Sequence, residues 1–351
     1  MKKALITGIT GQDGAYLSHL LFKKLNYEVH GLVRRSSAPN FWRLKKLNMD
    51  KNIIIHDGDL TEYESLWKTV EKIKPDEIYN LGAMSFVQSS FQTPIYTTNV
   101  IAVGTLNLLE AVRHVMLNDV SYEPRIYQAS SSEMFGKVRE TPQTEMTRFY
   151  PRSPYGTAKA FAHHTCINYR EAYNMFISCG ILFNHESPLR GEEFVTRKIT
   201  KNLAVISRLL REKKYDQQKH ILKLGNVEAE RDWGHAEDYV DAMWLMLQQD
   251  KADDFVIATG LTTRVRNFLQ LVLEKMKWDV SFNGFGKDFS VQDNKTGRLI
   301  VKTSEEFFRP SEVDMLLGIP IKAMSHLQWK PKHTLHTLAQ EMVDWDVKEF
   351  G

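Results

Sequence analysis

Apolar residues fall in short runs separated by segments of helical period through the first half of the chain. The runs at 4–7, 28–33, 52–56, 77–81, 125–129 and 176–183 predict strands. Between them, apolar positions recur three and four residues apart at 15–25, 62–73, 99–115 and 155–173, which predicts amphipathic helices. Strands alternating with helices at this spacing build a parallel sheet with helices on both faces. The second half is more mixed. Helices are predicted at 199–211, 236–247 and 335–347, and short strands at 221–225 and 255–258; a polar α/β stretch follows Leu261. The expected fold class is α/β: a doubly wound parallel sheet with a smaller mixed α/β C-terminal substrate domain. The boundary falls near Phe183, giving domains at 1–183 and 184–351. The segment 233–260 is expected to return to the first domain, which makes the second discontinuous.

A chain of 351 residues has room for about two such units. Its 46 lysines and arginines against 43 acidic residues leave a net charge of +3, which excludes a protein that works through a large basic field. A local basic pocket remains open. The two cysteines, Cys166 and Cys179, form no CxxC pair and no disulfide framework, and are expected as buried reduced thiols. The N-terminal apolar run is too short for a signal peptide or membrane helix, and no other apolar stretch approaches 18 residues. The expectation is a soluble, cytoplasmic protein.

Gly8-Ile9-Thr10-Gly11-Gln12-Asp13-Gly14 follows the first strand directly and opens a helix. Glycines let the backbone turn tightly and approach a pyrophosphate, and the helix N-terminus offers free N–H groups to it. In strand–turn–helix context the pattern predicts a Rossmann-type dinucleotide site rather than an ordinary glycine-rich turn. The second strand ends in Val33-Arg34-Arg35-Ser36-Ser37, where an NAD site typically carries an acidic residue. Two arginines and two serines suit a 2′-phosphate, so the expected cofactor is NADP; the alternative is a solvated basic loop. Asp59 and Leu60, after the third strand, are placed beside the adenine.

Tyr155 and Lys159 stand four apart in a predicted helix and share a face. An ammonium beside a phenol is expected to lower the tyrosine pKa, so that Tyr155 takes a proton from a hydroxyl while hydride leaves the same carbon. Some 25 residues earlier, Ser130-Ser131-Ser132-Glu133 ends a strand, and parallel sheets place their sites at such ends. No metal site is expected: the His163-His164 pair has no acidic or cysteine ligand at useful spacing.

These motifs together resemble the extended short-chain dehydrogenase/reductase superfamily. The resemblance narrows to GDP-mannose 4,6-dehydratases through the segments at 5–14, 33–37 and 149–156, then Asn184-His185-Glu186-Ser187-Pro188, Arg231-Asp232-Trp233-Gly234-His235, and Arg309-Pro310-Ser311-Glu312. It implies a redox-neutral lyase with tightly held NADP, acting on GDP-mannose or GDP-manno-heptose. The catalytic residues it implies are Ser131, Glu133, Tyr155 and Lys159. For the cofactor it implies Gly8, Ile9, Thr10, Gly11, Gln12, Asp13, Arg34, Arg35, Ser36, Ser37, Asp59 and Leu60. The same set continues with Leu81, Gly82, Ala83, Met84, Ser85, Tyr96, Lys159, His185 and Arg190. For the GDP-sugar it implies Ser85, Asn184, Glu186, Lys198, Gly225, Asn226, Arg231, Arg309 and Glu312. It also implies a homodimer or homotetramer, with the loop 34–43 reaching a neighbour's cofactor and Phe41-Trp42 packed at that interface or within the subunit. Neither nucleic acid nor membrane is an expected partner. The chain departs from the resemblance at Met84, Phe86, Phe135 and Leu189, each apolar where the family usually has a polar residue, and at Ser131, where it usually has threonine. Met84, Phe86 and Phe135 are expected beside the cofactor and sugar, which opens the sugar pocket to change and motivates the heptose. The alternatives are a GDP-sugar 4-epimerase or 4-reductase, or a non-catalytic NADP-binding sensor.

Overall fold

A computed structural model describes residues 1–38, 40–308, 313 and 315–351. The strands are β1 Lys3–Thr7, β2 Glu28–Val33, β3 Ile54–Asp57, β4 Glu77–Asn80, β5 Arg125–Ser131, β6 Ile177–Leu182, β7 Asn184–Glu186, β8 Leu222–Leu224, β9 Glu230–Arg231, β10 Trp233–His235, β11 Asp254–Ile257, β12 Thr263–Arg264, β13 Val280–Asn283, β14 Ser290–Asp293 and β15 Leu299–Thr303. The helices are α1 Gln12–His19, α2 Trp42–Lys46, α3 Tyr63–Ile73, α4 Val87–Gln92, α5 Pro94–Thr98, α6 Gly104–Asn118, α7 Pro154–Tyr173, α8 Val195–Arg211, α9 Gln217–His220, α10 Ala236–Met246, α11 Val265–Lys275, α12 Ile321–His326 and α13 Leu335–Phe350.

Seven strands form one parallel sheet in the order β11-β6-β5-β4-β1-β2-β3. The chain winds outward from β1 through β2 to β3, then crosses to β4 and winds the other way. The crevice beyond β1 and β4 is therefore the topological switch point, where open parallel sheets bind ligands. Its neck is fixed by hydrogen bonds: Thr7 Oγ1 donates to Asn80 Oδ1 at 2.7 Å and accepts from the Gly82 amide at 3.0 Å. Apolar cores fill both faces of the sheet, one around Leu17, Tyr79 and Met243, the other around Leu66, Leu108 and Ile177. A third core, around Ile199, Phe268 and Met342, joins α8, α11 and α13 to a four-stranded sheet β13-β14-β15-β8.

Most elements lie within a few residues of their predicted positions, and the differences have local causes. The first helix starts at Gln12, earlier than 15, because its opening residues carry no apolar side chain to set the period; its far end, Leu20–Lys24, widens into a π turn. The two short helices α4 and α5 are absent from the prediction, since six and five residues are too few for an amphipathic period to show. The stretch Pro94–Asn118 is long and apolar enough to cross a membrane by length and composition, so the expectation that no further apolar stretch approaches 18 residues does not hold. Half of it is buried, and α6 packs on α3 and α7 as a core helix. Both cysteines are free and buried. Phe41 and Trp42 pack on the core within the subunit.

Arg197 and Asp346 form a fully buried ion pair between α8 and α13, and Thr200 Oγ1 donates to the same carboxylate at 2.7 Å. Removing one partner leaves the other charge buried without compensation. Asp346→Ala is expected to cost about 3–5 kcal/mol of unfolding free energy in a denaturant titration.

Candidate active site

A cleft of about 920 Å³ opens at the switch point and runs between the seven-stranded sheet and the C-terminal layer. One end is the glycine loop. Gly8 sits at φ +69°, and a Cβ there would come within 2.8 Å of the Gly82 amide, so only glycine lets the loop lie against the β4 end. Gly11 is the N-cap of α1 and no side chain caps that helix, which leaves its first amides for a ligand. Gly8, Thr10, Gly11, Gln12 and Asp13 all line the cleft. This cradle fits a dinucleotide pyrophosphate.

The loop is joined to the strand that follows β6. Gln12 Nε2 donates to the His185 carbonyl at 3.1 Å, Ser187 Oγ donates to Gln12 Oε1 at 2.7 Å, and His185 Nε2 lies 2.8 Å from Asp13 Oδ2. Burial works against ionising Asp13, but the His185 charge and hydrogen bond, with Gln12 and Arg190, hold it down at about 2. Burial likewise disfavours the His185 imidazolium, yet Asp13 and the Phe183 carbonyl raise its pKa overall.

At the centre of the cleft, α7 lies against the end of β5. Ser153 caps the helix by accepting from the Gly156 amide at 3.0 Å, and Pro154 occupies its first position. Gly156 is required by contact: a Cβ would meet the Glu133 carbonyl at 2.6 Å. The Ser131 hydroxyl lies close enough to the Tyr155 phenol to lower its pKa, and it accepts from the Glu133 amide at 3.2 Å. Lys159 donates to the Ala129 carbonyl at 2.7 Å. Ser131, Glu133, Tyr155 and Lys159 all line the cleft. The expectation that Lys159 lowers the Tyr155 pKa is not met. Burial pushes the Tyr155 phenol up to about 12 against the opposing effect of the Ser131 hydroxyl, and the Lys159 ammonium turns to Ala129, 5.8 Å from the centroid of the Tyr155 ring. Burial brings Lys159 itself down to about 8.

Further residues expected from the sequence meet here. Leu81, Ala83, Ser85, His185 and Arg190 line the cleft, as do Asn184, Glu186 and Lys198. So do Gly225, Asn226 and Arg231. Among the described residues, the buried Asn184 amide oxygen has no hydrogen-bond partner and is an open acceptor. Arg190 pairs with Glu186 at 3.2 Å. Burial brings Lys198 down to about 8, and its ammonium lies 3.4 Å from the centroid of the Phe307 ring.

Other expected residues sit off the cleft wall. Arg34, Arg35, Ser36 and Ser37 are exposed, and Arg34 donates to the Tyr96 hydroxyl at 2.9 Å. Ile9 and Leu60 are core residues, and Asp59 caps a turn by accepting from the Thr61 amide at 2.9 Å. Gly82 supplies the neck described above, and Met84 is half-buried without lining the cleft. Arg309 and Glu312 lie outside the described residues.

Sequence reasoning missed Asn40, Arg43 and Phe194 on the wall. Arg43 donates from Nε to the Leu189 carbonyl at 2.7 Å and from a terminal nitrogen to the Thr10 carbonyl at 3.3 Å. No spacing rule marks such a residue, because both partners arrive from distant segments. Of the apolar departures, Phe86 lines the cleft, whereas Phe135 is fully buried against Phe149 and Phe183, and Leu189 is buried in the core. Phe135, expected beside the cofactor and sugar, does not line the cleft; its ring fills a core with Phe149 and Phe183.

The His163 expectation also changes. Strands β6 and β11 bring Cys179 and Asp254 to within 4.8 Å of it, a grouping that linear spacing concealed. Those donors are already engaged: Asp254 takes both ends of the Arg170 guanidinium at 2.9 and 3.1 Å, and His163 Nδ1 lies 2.9 Å from Ser130 Oγ.

A glycine-cradled switch point beside a Tyr–Lys helix and a serine-rich strand end defines the Rossmann-like class of short-chain dehydrogenase/reductase proteins. The solved structures it resembles include a dTDP-glucose 4,6-dehydratase from Streptomyces venezuelae (20% identity, TM-score 0.79, covering 98% of this chain and 96% of that one). Another is a UDP-glucose 4-epimerase from Thermotoga maritima (21% identity, TM-score 0.79, covering 99% and 100%). At such identities they define the fold alone. Residues 5–342 match the family model of GDP-mannose 4,6 dehydratase, and the chain belongs to that family. It is 51% identical over 353 residues to the GDP-mannose 4,6 dehydratase 2 of Caenorhabditis elegans (99% of this chain, 89% of that protein). It is 48% identical over 364 residues to the GDP-mannose 4,6-dehydratase of Yersinia enterocolitica (99% and 95%).

The Lys159 value sets a pH limit. A pKa lowered from 10.5 to about 8 means the ammonium is present below pH 8 and lost above it. The Lys159 contribution to activity is expected to fall as pH rises through about 8, a limb opposed by the rise that comes from ionising the Tyr155 phenol, which stands at about 12. In Lys159→Arg, whose guanidinium stays protonated past pH 12, that limb is expected to disappear even if the rate is lower. A pH–rate profile of both proteins checks this.

Proposed function

We propose that the protein is an NADP-dependent GDP-sugar 4,6-dehydratase, a hydro-lyase that converts a GDP-manno-configured sugar to its 4-keto-6-deoxy form. The observation that carries this reading is the convergence of Ser131, Glu133 and Tyr155 on one cleft with the glycine cradle and the open acceptor of Asn184. When bound, the nicotinamide would accept hydride from the sugar's 4-carbon and return it at the 6-carbon.

This chain's residues supply the rest. Tyr155, once ionised, takes the 4-hydroxyl proton, and the Ser131 hydroxyl beside it steadies the developing ketone oxygen. Lys159 places a positive charge near the phenolate without bonding to it. Glu133, at the end of β5, removes the acidified proton from the 5-carbon and delivers a proton to the departing 6-hydroxyl, which leaves as water. Arg190, Lys198 and Arg231 offer cations for the phosphates. Hydride return at the 6-carbon leaves an enolate, which takes a solvent-exchanged proton at the 5-carbon; two electrons have then left the sugar and two returned, and the net change is loss of one water.

The finer readings rest on narrower support. NADP rather than NAD rests on the four residues Arg34, Arg35, Ser36 and Ser37 at the end of β2. The choice between GDP-mannose and GDP-manno-heptose rests on Phe86 and Ser131, the two departures that line the cleft. The two-domain division is supported by separate cores, with β11 in the main sheet. A homodimer or homotetramer is supported by exposed apolar side chains at Ile95, Val103 and Phe161.

The test is incubation with GDP-mannose, and separately GDP-manno-heptose, in deuterated water without added cofactor, with products read by mass spectrometry. The expected product has lost one water and gained one deuterium, and the faster substrate identifies the sugar. Unchanged mass with both sugars, in protein shown to hold NADP, would favour the epimerase or sensor instead. Tyr155→Phe and Glu133→Gln are each expected to lower the rate about 10²–10⁴-fold, the usual contribution of a general acid–base group. Glu133→Gln is also expected to stop deuterium uptake at the 5-carbon.

A further inference from the structure

The cleft has two walls, and they meet at one aromatic contact. On the sheet side, Phe86 is the N-cap of α4, and the next residue, Val87, packs in the same buried cluster as Tyr155 and Ala158. On the other side, Phe194 is the N-cap of α8, a helix that packs on α11 and α13. The Phe86 and Phe194 rings meet edge to face, with centroids 5.7 Å apart and planes at 70°. The Arg190 guanidinium lies over the Phe194 ring, 3.7 Å from its centroid. Both rings line the cleft and both are half-buried. The contact thus joins the wall that holds Tyr155 to the wall that holds Glu186 and Arg190.

The reaction gives such a contact a task. A sugar that has lost hydrogen from its 4-carbon, and has received none at its 6-carbon, is two electrons oxidised. If it escapes at that point the cycle is no longer redox-neutral. Retention until both halves are complete needs a closure that opens for substrate and product. An edge-to-face aromatic pair is suited to this, because it shifts an open–closed equilibrium only by a few-fold to about tenfold. A stronger tie would trap the product, and a polar one would exchange with water.

We propose that Phe86 and Phe194 form an aromatic latch across the cleft beside Tyr155, which parts to admit the GDP-sugar and closes behind it. The latch rests on the function proposed above. It makes the two phenylalanines positioning residues for retention of the sugar and gives them no part in proton transfer.

The test uses Tyr155→Phe protein, in which turnover is slow enough to follow dissociation of intact GDP-mannose. Phe86→Ala and Phe194→Ala are added singly and together, with GDP as the control ligand. Each single change is expected to speed GDP-mannose release roughly three- to tenfold. The double change is expected to do no more than either single one, because both remove the same contact. GDP release is expected to stay unchanged, since no sugar lies beneath the latch. Unchanged GDP-mannose release, additive effects, or equal acceleration of GDP would each overturn the proposal.

A second measurement needs no ligand. Amide hydrogen exchange over residues 194–202 is expected to quicken when Phe86, on the opposite wall, becomes alanine. Unchanged exchange there would overturn the latch by itself. Failure of both GDP-mannose and GDP-manno-heptose to bind, with faster exchange in the variant, would instead count against the GDP-sugar function and leave the closure supported.

Discussion

The glycine loop must sit at a fixed height over the sheet and at a fixed distance from the segment after β6. Everything in the cleft depends on that placement. It is achieved by one polar junction, in which Gln12 and Asp13 at the start of α1 engage the His185 carbonyl, the His185 ring and Ser187. The junction is nearly dry, so each partner is costly to leave unpaired. Asp13 and His185 stabilise each other's charged forms, which keeps an ion pair at the floor of the site despite burial. His185 is also stacked on Tyr239, with ring centroids 4.5 Å apart, so α10 braces the same junction from below. Asn184 and Glu186 flank His185 on β7, and their positions on the cleft wall follow from where that histidine is held.

A second placement follows from helix periodicity. Tyr155, Lys159 and His163 lie one turn apart on α7 and face three consecutive residues of β5: Tyr155 lies beside Ser131, Lys159 bonds the Ala129 carbonyl, and His163 bonds Ser130. Arg170 continues the attachment to Asp254 on β11. The helix is thereby fixed in both height and rotation against the strand whose end carries Glu133. This arrangement explains why Lys159 does not lower the phenol's pKa as its spacing suggests. The carbonyl it satisfies is what holds the helix, and burial of the phenol outweighs a charge that sits beyond its ring.

Much of this was legible in the sequence, and the residues show why. Alternating strand and helix periods identify the main sheet, and the glycine loop locates its switch point because glycine is demanded there by backbone contact. Tyr155 and Lys159 are found because four-residue spacing survives any tertiary detail. Arg43 is invisible, since its partners at Thr10 and Leu189 come from segments 33 residues before it and 146 after it. The His163–Cys179–Asp254 grouping is hidden for the same reason: one member comes from α7 and two from separate strands. Phe135 shows the opposite failure. Its position in sequence lies two residues from Glu133, yet the 3₁₀ turn at Ser132–Met134 points its ring into the core.

Composition gave no sign of how charge is arranged around the site. The chain is nearly neutral, but Lys159, Arg190, Lys198 and Arg231 face one cleft, answered by Asp13, Glu133 and Glu186. Burial brings both Lys159 and Lys198 down to about 8, so their charged forms are held at a cost that nearby carboxylates offset only in part. An anion entering the cleft stabilises those charged forms and raises both values, and by reciprocity the same interaction favours its binding. Lys198 is the cleft cation that burial disfavours most openly, and an anion held beside it would stabilise its charged form.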